Sequence, residues 1–97
     1  MQTMYPGKVN SPTTELTAVV GAGETTITVV DASVLPTASN LAVLGEGETA
    51  ETILYTVKTD NVLSGITRGF QGIAQDWPAT TKVSRNFTEY DHAAFAA

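Results

Sequence analysis

The run ETILYTV, residues 51 to 57, limits the folds open to this chain more than any other segment does. Apolar and polar side chains alternate along it, so that Ile53, Tyr55 and Val57 fall on one face and threonines dominate the other. An alternation with a period of two is typical of a β-strand that has one buried face. We therefore expect a strand here and a fold built on β-sheet.

Short runs of similar composition lie on both sides of this strand: LTAVV, TTITVV, LAVLG, VLSGIT and KVSRNF. The turn-prone segment GAGE predicts a hairpin between the first two runs, and KTDN predicts a second hairpin between ETILYTV and VLSGIT. The glycines and proline of RGFQGIAQDWPATT predict an irregular connection before the last strand. The sequence thus predicts a mainly β fold, a small antiparallel sandwich or open barrel of about five to six short strands.

The two ends of the chain differ in composition from this β segment. Residues 1–14 are rich in Pro, Gly, Ser, Asn and Thr, and their two prolines predict an extended N-terminal arm. Residues 15–87 are the predicted β domain. Residues 88–97 begin with a sequence that resembles a capping box and contain several alanines, which predicts a short C-terminal helix.

Length and charge exclude several classes of protein. A chain of 97 residues suits a single domain, and the absence of cysteine excludes disulfides and thiolate metal sites. The net charge of -5 and the scattered basic residues oppose binding to nucleic acid. The apolar runs are too short for membrane insertion, and the first residues do not resemble a secretory signal. We expect a protein that is made and used in the cytoplasm, or that leaves it as part of a larger assembly.

Candidate catalytic and metal-binding residues are few. His92 is the only histidine, and its place near the end of the predicted helix suits an ordinary surface or packing residue better than a catalytic base. Glu46, Glu48 and Glu51 lack the ligand order of a calcium-binding loop. The glycines at 65, 69 and 72 lack the spacing of nucleotide-binding motifs. We therefore expect no enzymatic activity, no metal and no cofactor.

Arg68 stands between a strand-like run and two glycines, Gly69 and Gly72. The glycines allow positive φ angles where the chain leaves a sheet. Counting back across the KTDN turn places Arg68 roughly opposite Glu51, within the range of registers that such a loop allows. A guanidinium can hold a carboxylate by two hydrogen bonds. We interpret these four residues as a structural brace. The alternative is that Arg68 is an exposed recognition residue.

Aromatic and apolar side chains outside the predicted strands are candidates for protein contacts. Phe70 and Trp77 either cover the small core or form an exposed aromatic anchor. The arm and the predicted helix are too short to be stable alone and would gain from burial against a neighbour, which predicts a homo-oligomer. The candidate protein-interaction residues are Met4, Tyr5, Val9, Phe70, Trp77 and Tyr90.

Four segments, ETTITVVDASVLP, AETILYT, LSGITRGFQG and TKVSRNFTEYDH, together resemble a β-rich module of tailed-bacteriophage virion proteins. Such modules occur in tail-tip, baseplate and tail-fibre proteins, and the resemblance covers about residues 15–92. Its most specific part is the separation of Glu51 from Arg68 and the glycines that follow. The chain departs from the module at Ile73, where the module has threonine after the second glycine.

The resemblance implies a noncatalytic role in a phage virion that is assembled in the bacterial host cytoplasm. Partners would be other virion proteins, and symmetric rings or trimers are common, so a trimer is the first expectation. Two alternatives remain open. One is a capsid decoration protein, and the other is a receptor- or carbohydrate-binding module with Trp77, Tyr55 or Phe70 exposed in a shallow groove.

Overall fold

A computed structural model describes residues 13–85 of the chain, and this part is mainly β, as predicted. The element bounds in chain order are β1 (Thr13–Glu15), β2 (Ile27–Thr28), η1 (Ala32–Val34), β3 (Asn40–Leu44), η2 (Gly47–Thr49), β4 (Glu51–Tyr55), β5 (Val57–Thr59), β6 (Val62–Ser64), β7 (Thr67–Gln71) and β8 (Lys82–Ser84). Elements η1 and η2 are single turns of 3-10 helix.

The strands form two antiparallel sheets. A five-stranded sheet has the order β1-β8-β3-β4-β7, and a three-stranded sheet has the order β2-β6-β5. The centre of the larger sheet is the ladder between β3 and β4, which runs from Asn40 opposite Tyr55 to Leu44 opposite Glu51. Within residues 13–85 neither sheet closes into a barrel.

The described residues contain eight strands, more than the five to six expected, because two predicted strands are each divided between the sheets. The run ETILYTV breaks at Thr56, so β4 belongs to the larger sheet and β5 to the smaller one. Thr56 donates its N–H to the Ser64 carbonyl at 3.1 Å and its hydroxyl to the Gly65 carbonyl at 2.9 Å. The run VLSGIT divides in the same way into β6 and the start of β7. The predicted second hairpin is confirmed: β5 pairs with β6, and the same register continues to the pair of Leu54 with Thr67, between β4 and β7.

Strand β7 occupies part of the segment that was expected to be irregular. Its pairing with β4 places Thr52 opposite Gln71 and Leu54 opposite Thr67. Between these pairs β4 has one residue and β7 has three, Arg68 to Phe70, which is a β-bulge. Gly69 lies inside the bulge with φ of +59, so a glycine here permits the strand instead of ending it.

The predicted first hairpin, between residues 16–20 and 25–30, is present only as a single bridge between Leu16 and Val29. Strand β2 pairs instead with β6. Residues 13–20 run antiparallel to residues 77–84 in one register, from Thr13 opposite Ser84 to a bridge between Val20 and Trp77. This long pairing brings the chain after Val20 beside the loop that ends at Trp77.

Both sheets contribute side chains to one hydrophobic core. Its buried members are Leu16, Val20, Ile27, Val29, Ala32, Leu35, Ala42, Leu44, Ile53, Tyr55, Leu63, Ile66 and Val83. Burial of each large aliphatic side chain stabilises the fold by about 1.5 to 3 kcal/mol relative to its exposure. Tyr55 is fully buried and donates its hydroxyl to the Pro36 carbonyl at 2.5 Å, and its burial raises the pKa of that hydroxyl.

Several predictions fall outside the described residues. These are the arm through residue 12, the C-terminal helix at 88–97, His92, and the candidate contact residues Met4, Tyr5, Val9 and Tyr90. Strand β1 begins at Thr13, inside the stretch that was assigned to the arm. Among residues 13–85 no helix is long and apolar enough to cross a membrane.

Candidate functional site

Glu51 is the first residue of β4 and its side chain is completely buried. Alternate residues of a strand point to the same side of its sheet, so Glu51 shares the core face with Ile53 and Tyr55. A carboxylate in such a position is costly unless a cation and hydrogen-bond donors compensate for the lost water. The strand pattern therefore buries a carboxylate that requires a cationic partner.

Arg68, in the bulge of β7, is that partner. Its Nε lies 2.7 Å from Glu51 Oε2 and its Nη2 lies 2.8 Å from Oε1, which is a bidentate ion pair. The Arg68 side chain is only 6% exposed. The count across the turn predicts this contact only to within two positions, because the observed register sets Arg68 in the bulge beside Ile53. From there its side chain reaches Glu51.

The remaining N–H groups of Arg68 donate to backbone carbonyls of two loops. Nη1 donates to the carbonyls of Gly21 and Glu24, the latter at 3.1 Å, and Nη2 also donates to the Gln75 carbonyl at 2.8 Å. With the two bonds to Glu51, all five N–H groups of the guanidinium have acceptors. Arg68 therefore has no donor left for an external ligand.

Glu51 accepts three hydrogen bonds in addition to the two from Arg68. The donors are the Gly69 N–H at 2.9 Å, the Gln75 N–H at 3.2 Å and the indole Nε1 of Trp77 at 3.0 Å. We call Glu51, Arg68 and these bonded groups the ion-pair network. It ties the loop of residues 21–24 and the segment of residues 69–77 to the start of β4.

The network keeps both charges ionised. Burial by itself would raise the pKa of Glu51, but the hydrogen bonds from Arg68, the Gly69 N–H and Trp77 outweigh burial and hold that pKa below its usual value. The hydrogen bond to Glu51 raises the pKa of Arg68 against the opposing effect of burial. Among the described residues, no buried side-chain nitrogen or oxygen lacks a hydrogen-bond partner.

The described residues include two aromatic candidates for protein contact, Trp77 and Phe70. Both side chains are half-buried. Trp77 exchanges backbone hydrogen bonds with Val20, each 2.8 Å long, and its ring lies against Gly45, where an added Cβ would come within 2.6 Å of it. Trp77 therefore belongs to the ion-pair network and to the edge of the core. Phe70 lies in β7.

Sequence reasoning missed the contributions of Gly21, Glu24, Gln75 and Trp77 to this network. Three of them act through backbone groups, which carry no signature in the sequence. Trp77 lies 26 residues from Glu51, a separation that no local pattern connects. Only the folding of the segment after β7 back over β4 brings them together.

Gly72 is required by a close backbone contact. Its φ is +78, and a Cβ added there would lie 2.7 Å from the carbonyl oxygen of Ala50. Any larger residue would push residues 72–77 away from the start of β4. Gly69 and Gly72, both predicted as parts of the brace, thus lie at the start of and within the segment of residues 69–77 that the ion-pair network holds.

A shallow groove of about 430 Å³ lies on the outer surface of the protein above the network, and we call it the loop face. The residues that line it are Glu48, Thr49, Ala50, Gly72, Ile73 and Gln75. Gln75 spans it by donating its side-chain amide to the Thr49 carbonyl at 2.8 Å. Ile73 is 78% exposed, more than any other large hydrophobic residue within residues 13–85. The loop face therefore combines a fixed backbone with an apolar side chain in solvent.

The Glu51 carboxylate is fully engaged within the protein. Glu51 is buried and holds five hydrogen bonds, so its carboxylate cannot reach a substrate in this conformation. No group of His, Cys, Asp and Glu side chains within residues 13–85 is arranged to hold a metal ion.

No protein-family model matches the chain, and no curated protein matches it significantly.

Proposed function

We propose that this protein is a non-enzymatic structural subunit of a tailed-phage virion, a tail, baseplate or fibre component that acts through protein-protein contacts. The observation that carries the proposal is the ion-pair network, which fixes residues 69–77 above the sheets. A surface held in one conformation loses little entropy when it binds, which favours a docking function. The resemblance of four sequence segments to phage modules supplies the virion context.

Arg68 supports the interpretation as a brace over that of an exposed recognition arginine. Its side chain is 6% exposed, and its five N–H groups all donate within the protein. In this proposal the two sheets form a small sandwich, with an extended arm at one end of the chain and a short helix at the other. The subunit works in the virion as a homo-oligomer, with a trimer as the first expectation.

The described aromatic residues favour this proposal over a carbohydrate-binding module. Such a module needs exposed rings beside polar groups. Tyr55 is fully buried, and Trp77 donates its N–H inward to Glu51. A capsid decoration protein would also be small, acidic and free of cysteine, so the location in the particle has to be measured.

Particles of the phage that encodes the chain provide the test. We expect quantitative mass spectrometry of purified particles to find the protein at a fixed copy number, and cryo-electron microscopy of particles carrying a tagged chain to place it in the tail, baseplate or fibre. Density on the capsid surface would support the decoration alternative. Absence from the particles would overturn the proposal.

A matched pair of variants tests whether the loop face is used. Ile73→Asp places a charge on the loop face, whereas Val57→Asp places one on β5, where Val57 is 46% exposed. Both variants should keep the fold because both positions are exposed. Incorporation into particles should fall for Ile73→Asp alone, and equal incorporation of both variants would exclude the loop face as a contact surface.

A further inference from the structure

We propose that the loop face of one copy binds residues 1–12 of a second copy, so that the protein assembles head to tail. This inference rests on the proposed function, because a virion subunit that acts through protein contacts requires a defined interface. It adds to the proposed function the surface that is bound, the segment that binds it and the symmetry of the contact.

The apolar part of the loop face has no cover within the described residues. Ile73 is 78% exposed and projects from a segment that Gly72, Gln75 and Trp77 hold in place. Ala50 and Gly72 form the floor of the same groove. An extended apolar segment that covers Ile73 would remove its side chain from water, and the rigid support loses little entropy in such a contact.

The charged part of the loop face is acidic. Glu48 is exposed and is the one charged residue among those that line the groove. Exposed Asp76 and Glu24 lie on the adjoining loops, where Asp76 accepts the Ala22 N–H at 2.8 Å. Two cations of the adjoining elements are already engaged: Arg68 is buried with all its donors in use, and Lys82 is paired with Glu46 at 2.9 Å. The partner should therefore carry positive charge beside apolar side chains.

Residues 1–12 have this composition. They contain no Asp or Glu, and their one charged side chain is Lys8, which lies next to Val9 and close to Tyr5 and Met4. Two prolines favour an extended conformation, which fits a shallow groove better than a helix does. In the proposed contact Lys8 faces Glu48, and the neighbouring apolar side chains cover Ile73.

The direction of β1 favours a second copy over the same copy as the source of this segment. Strands β1 and β7 are the opposite edges of the five-stranded sheet, about 19 Å apart at four strand spacings. From Thr13 the chain runs towards Val20, which pairs with Trp77 beside the loop face. Residues 1–12 thus join β1 at the end that points away from the loop face. Their extended length, about 40 Å, would reach the loop face of the same copy, but only if the chain reversed its direction next to Pro12. A segment that continues in the direction of β1 meets a neighbouring copy instead.

An interface between two different surfaces of the same chain is heterologous when each copy gives its segment to the next copy, whereas reciprocal exchange between two copies would close a two-fold dimer. Such an interface produces a ring when the rotation between neighbours closes, and a trimer is the smallest ring. The proposed contact therefore explains how a short chain forms a symmetric assembly without a two-fold interface.

Isotope mixing tests both the contact and its source. Full-length chains labelled with ¹⁴N and ¹⁵N are mixed in equal amounts, allowed to exchange and treated with a carbodiimide, which joins a lysine amine to a carboxylate. We expect peptides in which Lys8 of one isotope is joined to Glu48 of the other. Links between chains of the same isotope alone, or no link between these residues, would overturn the inference.

Charge reversal supplies an independent measurement by sedimentation of the isolated full-length protein. Lys8→Glu and Glu48→Lys should each weaken self-association at least about fivefold, and the two changes together should restore it, because the charges again complement each other. Ile73→Asp should weaken self-association at least about tenfold, while the control Val57→Asp leaves it unchanged. Equal effects of the last two variants, or no restoration by the double change, would contradict the proposed contact.

The two proposals can fail separately. A protein that is monomeric in solution but present in particles at a fixed copy number would overturn the head-to-tail contact and leave the virion function standing. A protein that forms the predicted cross-links but is absent from particles would overturn the virion function and support the contact.

Discussion

At the scale of single residues, the Glu51 carboxylate shows how a strand pattern imposes an electrostatic problem. The alternation that buries Ile53 and Tyr55 also buries Glu51, and an unpaired carboxylate there would be strongly unfavourable. Arg68 and three further donors compensate for the lost water. A buried ion pair adds little stability compared with an apolar core, but the removal of one partner costs about 3 to 5 kcal/mol.

This asymmetry predicts that Arg68→Lys is not a conservative change. An ammonium has three donors and no planar fork, so it cannot serve the acceptors that Arg68 now serves. We expect a loss of about 3 kcal/mol in the free energy of unfolding, measured by urea denaturation. Glu51→Gln should cost a similar amount, and the double variant should cost clearly less than the sum of the two.

The exposed pair between Lys82 and Glu46 is the control for this cycle. Its Nζ and Oε1 lie 2.9 Å apart, but the side chains are 34% and 71% exposed. Lys82→Gln and Glu46→Gln should be additive within about 0.5 kcal/mol, because water and salt screen such a pair. Additive effects at Glu51 and Arg68 as well would show that the buried contact does not couple the two residues.

At the scale of elements, the segment that follows β7 depends on a close backbone contact at Gly72. Gly72 and Gly47 have similar φ angles, +78 and +72, but different surroundings. A Cβ added at Gly72 would come within 2.7 Å of the Ala50 carbonyl oxygen, whereas one added at Gly47 meets nothing within 4 Å. The pair thus separates the effect of the backbone angle from that of the contact.

We expect Gly47→Ala to lower the free energy of unfolding by about 1 kcal/mol, the usual effect of a left-handed angle on a residue with a side chain. Gly72→Ala should lower it by about 3 kcal/mol, because the loop must also move away from β4. Thermal and urea denaturation measure both values, and Trp77 fluorescence reports the shift of the loop. Equal losses at the two positions would argue against the close contact.

At the scale of the whole molecule, the ion-pair network connects residues 21–24, 51 and 68–77, so its charge state affects the stability of the entire fold. The pKa of Glu51 lies below the usual glutamate value of 4.5. A carboxyl whose pKa is lower in the folded state stabilises that state above its unfolded pKa. This stabilisation is lost as the pH falls through the folded pKa.

We therefore expect the difference in unfolding free energy between the natural protein and Glu51→Gln to be constant above about pH 6 and to shrink as the pH falls towards about 3. Urea denaturation at a series of pH values measures this difference. Asp31, whose pKa is lowered chiefly by a hydrogen bond from the Ser33 side chain, is present in both proteins, so its effect cancels. A difference that does not change with pH would show that Glu51 is not ionised in the folded state.

The sequence alone determined the class of the fold and the ion pair at its centre. Period-two alternation dictates β-strands because side chains of a strand alternate between its faces, and a short turn limits which residues can lie opposite one another. The β class of residues 13–85 was accessible from local pattern. Spacing placed Arg68 within two positions of Glu51, and the bulge of β7 together with the reach of the arginine side chain completes the contact. The arm, the terminal helix and the virion role remain predictions.

Tertiary structure alone decided where strands divide and what surrounds the ion pair. ETILYTV is one uninterrupted alternating run, yet the chain passes from one sheet to the other at Thr56. Strand β4 pairs with β3 and β7, whereas β5 pairs with β6. Trp77 reaches Glu51 only because residues 77–84 pair with residues 13–20. These pairings join segments that are far apart in the chain. They use backbone groups, which every residue carries. The packing of the whole core, and not the local sequence, therefore selects which segments pair.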